Sequence, residues 1–242
     1  MDRRAFLKTS LAAAASAVLT SAAGIPRAGA GITPINGSVF NQQVALNGFF
    51  PNTEQVIIQY MTLPGNLPSS YGNAMAIWQA SQLPYDQAPV LSSPIQSNST
   101  DGTQSFAGNL DKNLTYVVGY STSAATTTVC STLTFYPGRT DGEAFSTQIH
   151  PVYVGADSIT VSFQTPTGNL PATNGNWVGI WGGDTPIYDG SGMLAKTKVT
   201  ADDSQGTVAI NGIPLLRSMI YTVGYFIGES NSDLAATFTM NT

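Results

Sequence analysis

Residues Gly65 to Asp86 read GNLPSSYGNAMAIWQASQLPYD, and 103 residues later Gly168 to Asp189 read GNLPATNGNWVGIWGGDTPIYD. The chain is a duplication. Upstream, Val56, Ile58 and Tyr60 fall on Ile159, Val161 and Phe163 at the same offset. Downstream, Gly102-Thr103 matches Gly206-Thr207, Tyr116-Val-Val-Gly-Tyr120 matches Tyr221-Thr-Val-Gly-Tyr225, and Thr132-Leu133 matches Thr237-Phe238, with the offset drifting only to 105. A period near one hundred residues is too long for a solenoid unit and is the usual size of a domain with its own core. Two similar domains are therefore expected, residues 31–138 and 146–242. The link at 139–145 lies in the turn-rich stretch Pro137-Gly-Arg-Thr-Asp-Gly142 and beyond.

Short alternating segments separated by Gly, Pro, Asn and Asp recur through both copies, and no long helical period interrupts them, which is the pattern of a sandwich or barrel. Strands are expected near 38–47, 54–62, 73–79, 103–107, 115–121 and 129–136, with an irregular edge at 88–95. The second set falls near 147–154, 158–165, 176–182, 194–200, 206–211, 220–227 and 234–240. In Leu110-Asp-Lys-Asn-Leu-Thr-Tyr116 a Leu stands six residues before a Tyr, and Leu215 stands six before Tyr221. This resembles the corner leading into strand F of fibronectin type III and immunoglobulin-like sandwiches, where the Tyr hydroxyl bonds backbone and its ring joins the core. Tyr60 and Phe163 stand where the fibronectin family carries a strand B Trp, and paired cysteines are missing. The fold class implied is all-β, a tandem duplication of an immunoglobulin-like or fibronectin-like β-sandwich. Such sandwiches host adhesion, binding and spacer roles alike, so no function follows from the resemblance.

The first thirty residues read as an export signal. Arg3-Arg4-Ala5-Phe6-Leu7-Lys8 precedes an Ala-rich run from Leu11 to Ile25 that is too short to span a membrane, and Ala28-Gly29-Ala30 is a small-x-small cleavage pattern. The segment resembles a twin-arginine signal peptide, with Asp2 where Ser or Thr is usual; an ordinary secretory signal that carries two arginines is the alternative. The mature chain then begins at Gly31, periplasmic or extracellular, with no transmembrane segment. Removing residues 1–30 takes away four of nine basic residues and one of fourteen acidic ones, leaving 5 against 13 and a net charge of −8. So acidic a surface repels phosphate backbones and excludes nucleic acid as a partner. Only 10% of residues are charged, while 42% are apolar, enough to fill two cores and inconsistent with disorder.

Catalytic and metal-binding patterns are sparse, and no cofactor or metal is expected. Cys130 is alone, so no intrachain disulfide can form, and Ala235 at the 105 offset marks it as a small buried hydrophobe rather than a reactive thiol. His150, the sole histidine, precedes Pro151 near the start of the second copy and reads as a surface or strand-end residue. GxSxG, HExxH, P-loop and CxxC motifs are all lacking. Paired carboxylates could still make a glycosidase, and Glu54, Asp86, Glu143, Asp157, Asp189 and Glu229 are the available acids, scattered through turns. Asp184, Asp189 and Asp202-Asp203 could bind calcium, but their spacing is not that of an EF-hand loop.

Side-chain alternation points to a surface. With Tyr116, Val118, Tyr120, Tyr221, Val223 and Tyr225 facing the core, as do Met75, Ile77, Val178 and Ile180, the opposite face carries Trp78 in the first copy and Trp177, Trp181 and Phe226 in the second. Exposed beside Gly179 and Gly224, these rings would form a flat platform able to stack on sugar or cover a protein. Two other readings stay open: one Trp lies in an immunoglobulin-like core, or the platform is the contact between the two domains. In the repeated loops Asn66, Asn73, Asn169 and Asn176 could hold sugar hydroxyls, or serve turn chemistry alone. The leading expectation is an exported, non-catalytic binding module with glycan as first ligand class and a protein surface as second. A secreted enzyme acting on a polysaccharide or small metabolite through carboxylates or tyrosines, and a structural protein of the cell envelope, are the alternatives.

Overall fold

Alternation of β-branched or aromatic residues with polar ones decides the strands. In QVIIQYM, Val56, Ile58 and Tyr60 are buried while the residues between them are half-buried, and SITVSFQ repeats this with Ile159, Val161 and Phe163. The structure, a computed structural model, describes residues 39–186 and 188–242; the export segment read at residues 1–30 lies outside them. The first copy supplies β1 (Phe40–Gln43), β2 (Ala45–Asn52), β3 (Gln55–Met61), β4 (Ala74–Trp78), β5 (Leu91–Pro94), β6 (Asp101–Ala107), β7 (Tyr116–Ser121) and β8 (Val129–Phe135). The second supplies β9 (Glu143–Ser146), β10 (Gln148–Val154), β11 (Ser158–Gln164), β12 (Trp177–Gly182), β13 (Met193–Lys198), β14 (Gln205–Asn211), β15 (Ile220–Phe226) and β16 (Leu234–Asn241). Among the described residues the only helical element is one 3-10 turn at Thr126–Thr128, and no helix is long and apolar enough to cross a membrane.

Each copy packs a three-stranded sheet on a five-stranded one, all pairs antiparallel. The small sheets are β2-β3-β6 and β10-β11-β14; the large ones are β5-β4-β7-β8-β9 and β1-β16-β15-β12-β13. In sandwich lettering, A, B and E make the small sheet and C′, C, F and G the large one, the fibronectin arrangement of the immunoglobulin-like sandwich. The alternation reading holds: Met75, Ile77, Tyr116, Val118, Tyr120, Val178, Ile180, Tyr221, Val223 and Tyr225 are all core residues.

The first strand of each copy is divided between the two sandwiches. β1 pairs with β16 of the second copy, and the chain then crosses at Val44 so that β2 pairs with β3 of the first. Correspondingly, β9 pairs with β8 of the first copy, and after Thr147 the chain crosses to pair β10 with β11 of the second. The crossing residues bond equivalent carbonyls: Val44 N–H donates to Ala235 O at 3.2 Å and Thr147 N–H to Cys130 O at 2.8 Å. Each large sheet thus ends on a strand lent by the other copy, and the stretch 139–145 contains the beginning of β9.

The tyrosine corners form in both copies. Tyr116 Oη accepts from Asp111 N–H at 3.0 Å and Tyr221 Oη from Leu216 N–H at 2.9 Å, each ring buried. Removing the hydroxyl leaves a backbone donor without its partner. Tyr221→Phe is accordingly expected to destabilise the chain by about 1–3 kcal/mol, read as a lower urea midpoint at unchanged slope. An unshifted midpoint would show that the corner bond contributes nothing.

Candidate functional site

The duplicated stretch builds two equivalent loops that meet across the molecule. Gly65 and Gly168 have φ of +84° and +89°, the left-handed region that favours glycine. Beyond them the turns close in the same way: Asn73 N–H donates to Pro68 O and Asn176 N–H to Pro171 O, both at 2.8 Å. A Cβ on Gly65 would lie 3.5 Å from the Tyr188 ring, and one on Gly168 would lie 3.4 Å from the Tyr85 ring. The tyrosine after strand C of each copy therefore packs on the Gly-Asn-Leu-Pro loop of the other. Tyr71 stacks on Tyr188 with centroids 5.6 Å apart, and Thr122 Oγ1 donates to Asp233 Oδ1 at 3.0 Å. Burial holds the Asp233 carboxyl above its ordinary range, against the donors Ser230 N–H and Thr122 Oγ1.

This contact corrects the expected exposed platform. Trp177, Trp181 and Phe226 lie on the predicted face but are only 3%, 1% and 1% exposed, and Trp78 only 2%. Leu63 of the first copy packs into the Trp177, Trp181, Tyr188, Phe226 and Leu234 cluster, with Tyr71 against it. Trp78 lies in a matching cluster with Ala76, Leu83, Val117 and Val129. Alternation assigns a residue to a side of the sheet; it carries no information about what covers that side. For Trp177, Trp181 and Phe226 the contact between the copies is the reading realised, whereas the residues clustered with Trp78 belong to its own copy.

The four loop asparagines are buried as well and serve the turns. Asn73 Oδ1 accepts from Asn66 Nδ2 at 2.9 Å and from Tyr120 Oη at 2.8 Å, while Asn73 Nδ2 reaches Thr122 O. In the second copy Asn176 Nδ2 bonds Tyr225 Oη at 2.9 Å and Asn169 Oδ1 accepts from Asn174 Nδ2 at 2.7 Å. Desolvation raises Tyr120 and Tyr225 well above the ordinary phenol value, so they remain neutral hydrogen-bonding groups. Cys130 is fully buried with its thiol pushed up by desolvation. His150 is exposed with Asn41 Nδ2 3.4 Å from its Nδ1. Asp189 accepts from Ser191 N–H within a local turn, and Asp202 accepts from Thr173 N–H and Oγ1 across two loops; these bonds hold both carboxyls below their ordinary range.

A cleft of about 410 Å³ opens on the second copy, lined by Gly175, Trp177, Lys196, Lys198 and Glu229. Cross-strand pairing places Lys198 opposite Trp177 and Lys196 opposite Gly179, on the outer face of the large sheet. Trp177 stacks on the Phe226 ring, 3.6 Å between centroids at 3°, and the Lys196 ammonium lies over the indole, 5.2 Å from its ring centroid. Glu229 lies over Gly175, where an added Cβ would come within 2.5 Å of Glu229 Cγ. Sequence reading placed Trp177 and Phe226 but missed the two lysines. The signal was the difference between copies: Trp177, Phe226 and Glu229 align with Ala74, Ser121 and Ala124, and Pro94 and Ser92 pair opposite Ala74 and Ala76 where the second copy has Lys198 and Lys196.

No family model matches the chain, and no curated protein matches it. Solved structures similar to it include the BSP domain of a biofilm-associated protein, at 15% identity over 76% of this chain and 26% of that one, with a TM-score of 0.25. The FN1–FN3 domains of chicken CNTN1 are similar at 10% identity over 81% of this chain and 66% of theirs, with a TM-score of 0.27. The chain thus spans about a quarter of the first and about two thirds of the second, and scores so low carry neither topology nor function across. Strand order and pairing in the molecule itself establish an all-β fold, a duplicated immunoglobulin-like β-sandwich of fibronectin topology.

Proposed function

We propose that the mature chain is an exported, non-catalytic binding module that takes carbohydrate in the cleft of its second copy. One observation carries the reading: Trp177, Lys196, Lys198 and Glu229, which differ from their first-copy counterparts Ala74, Ser92, Pro94 and Ala124, gather at one open cleft, with the buried Phe226 ring stacked on the indole. A duplicated scaffold needs no such local divergence to fold. Lysine donors and a carboxylate acceptor beside an aromatic floor are groups that hold sugar hydroxyls. The cleft lining has one carboxylate, Glu229, and a glycosidase requires two facing each other across the bond. That favours binding over turnover. A structural role in the envelope is the second reading, supported by the buried, strand-paired junction of the two sandwiches.

A glycan array probed with the mature protein tests the proposal. Wild type is expected to retain a defined set of glycans, and Glu229→Ala to weaken retention about tenfold, in line with one hydrogen bond to a charged group. Because Glu229 is exposed, its removal is expected to leave the unfolding midpoint unchanged. Absence of any retained glycan would overturn the reading in favour of the structural role.

A further inference from the structure

We infer that the cleft is selective for an acidic sugar, a uronate unit of an anionic polysaccharide, with Lys196 and Lys198 on its carboxylate and Glu229 on its hydroxyls; the inference rests on the binding-module reading above. Lys196 and Lys198 are two apart on β13, so both project from one face, roughly 6.6 Å apart along the strand. That spacing lets two ammonium groups converge on the two oxygens of a single carboxylate. Both lysines are exposed, and among the described residues the only ion pair is Arg139–Asp141. Neighbouring cations that make no ion pair repel each other, and an arriving anion relieves that repulsion while gaining charge-assisted hydrogen bonds.

The setting sharpens the choice of anion. Beyond residue 30 the chain has five basic residues; Arg139 is paired and Lys112 Nζ donates to Pro51 O. Two of the five standing together on a body of net charge −8 therefore mark a local positive spot on a repelling surface. Trp177 fixes Lys196 from below, so that head group is positioned before any ligand arrives. Glu229, on the wall over Gly175, repels a second closely spaced anion and accepts from hydroxyls. Two cations and one carboxylate suit a ligand with one negative group and several hydroxyls per unit. They do not suit a continuous phosphate chain.

Calorimetric titration of the mature protein with polygalacturonate, and with the same polymer fully methyl-esterified, tests this. The acid form is expected to bind at least about tenfold more tightly than the ester, with affinity falling as salt is raised. Lys196→Ala with Lys198→Ala is expected to abolish that preference, Arg at both positions to keep it, and Arg217→Ala, which removes a positive charge elsewhere, to leave it unchanged. If the ester or neutral glycans bind equally well and Glu229→Ala still weakens them, the module stands and the acidic selectivity falls. Equal competition by single-stranded DNA would likewise overturn it, as a response to any polyanion. If no glycan of either charge binds, both readings fall together.

Discussion

Trp181→Ala is expected to lower the unfolding free energy by about 3–5 kcal/mol, the usual cost of emptying a large buried aromatic site. Trp181 is 1% exposed and lies in the cluster that Leu63 of the other copy enters. Its ring centroid is 5.9 Å from that of Phe226, and a Cβ would stand 3.0 Å from the indole on Gly179 of its own strand and 3.4 Å from it on Gly224 of the neighbouring strand, so both strands leave room for it. Among the described residues its Nε1 has no hydrogen-bond partner, unlike that of Trp78, which donates to Gln87 O at 3.0 Å. Truncation at 181 therefore strands no acceptor, and the whole loss is cavity and contact. Urea unfolding checks this through a lower midpoint. A change below about 1 kcal/mol, the range of ordinary surface substitutions, would return this face to solvent and restore the open aromatic platform.

Much of the fold was legible because two periodicities coincide. The period of two along β3, β7, β11 and β15 gives the facing of Val56, Tyr116, Val161 and Tyr221, and the offset of 103 to 105 residues gives each strand a partner to be checked against. The corner tyrosines were legible through the resemblance to the fibronectin and immunoglobulin-like corner, which Leu110 and Leu215 carry by standing six residues before them. The crossing at Val44 and Thr147 was not. Strand exchange leaves no local mark: a divided first strand has the same alternation whether its halves pair within one sandwich or between two. For the same reason Glu143–Ser146 reads as a linker beside Pro137 and Gly138, although it is a strand. The aromatic site was misjudged at one step, because Trp177 and Trp181 are outward with respect to their own sandwich and inward with respect to the molecule. Lys196 and Lys198 were missed as a site because the repeat was read for what the copies share, and these two fall on Ser92 and Pro94, a difference and not a match.

Neither residues 31–138 nor residues 143–242, expressed alone, is expected to show a cooperative transition near that of the intact chain, while refolding the two together is expected to restore it. The first piece keeps β1, whose partner β16 is in the other piece, and lacks β9, so the edge of β8 is bare; the second has the mirror deficiency. A bare edge of buried, apolar strand G is an open template for aggregation. Separation also uncovers the cluster of Trp177, Trp181, Phe226 and Tyr188, which Leu63 and Tyr71 of the other copy pack against. Exposing even a few such side chains, at about 1.5–3 kcal/mol each, is comparable with the entire margin of about 5–15 kcal/mol that keeps a domain folded. Extending the first piece to residue 146 supplies β9 and repairs its strand edge but not its uncovered face, so this longer piece separates the two causes. Recovery of full stability by residues 31–146 would assign the loss to the edge; continued instability would assign it to the aromatic contact. Cooperative unfolding of either original piece at the temperature of the whole would establish two independent folding units and leave the strand exchange without energetic weight.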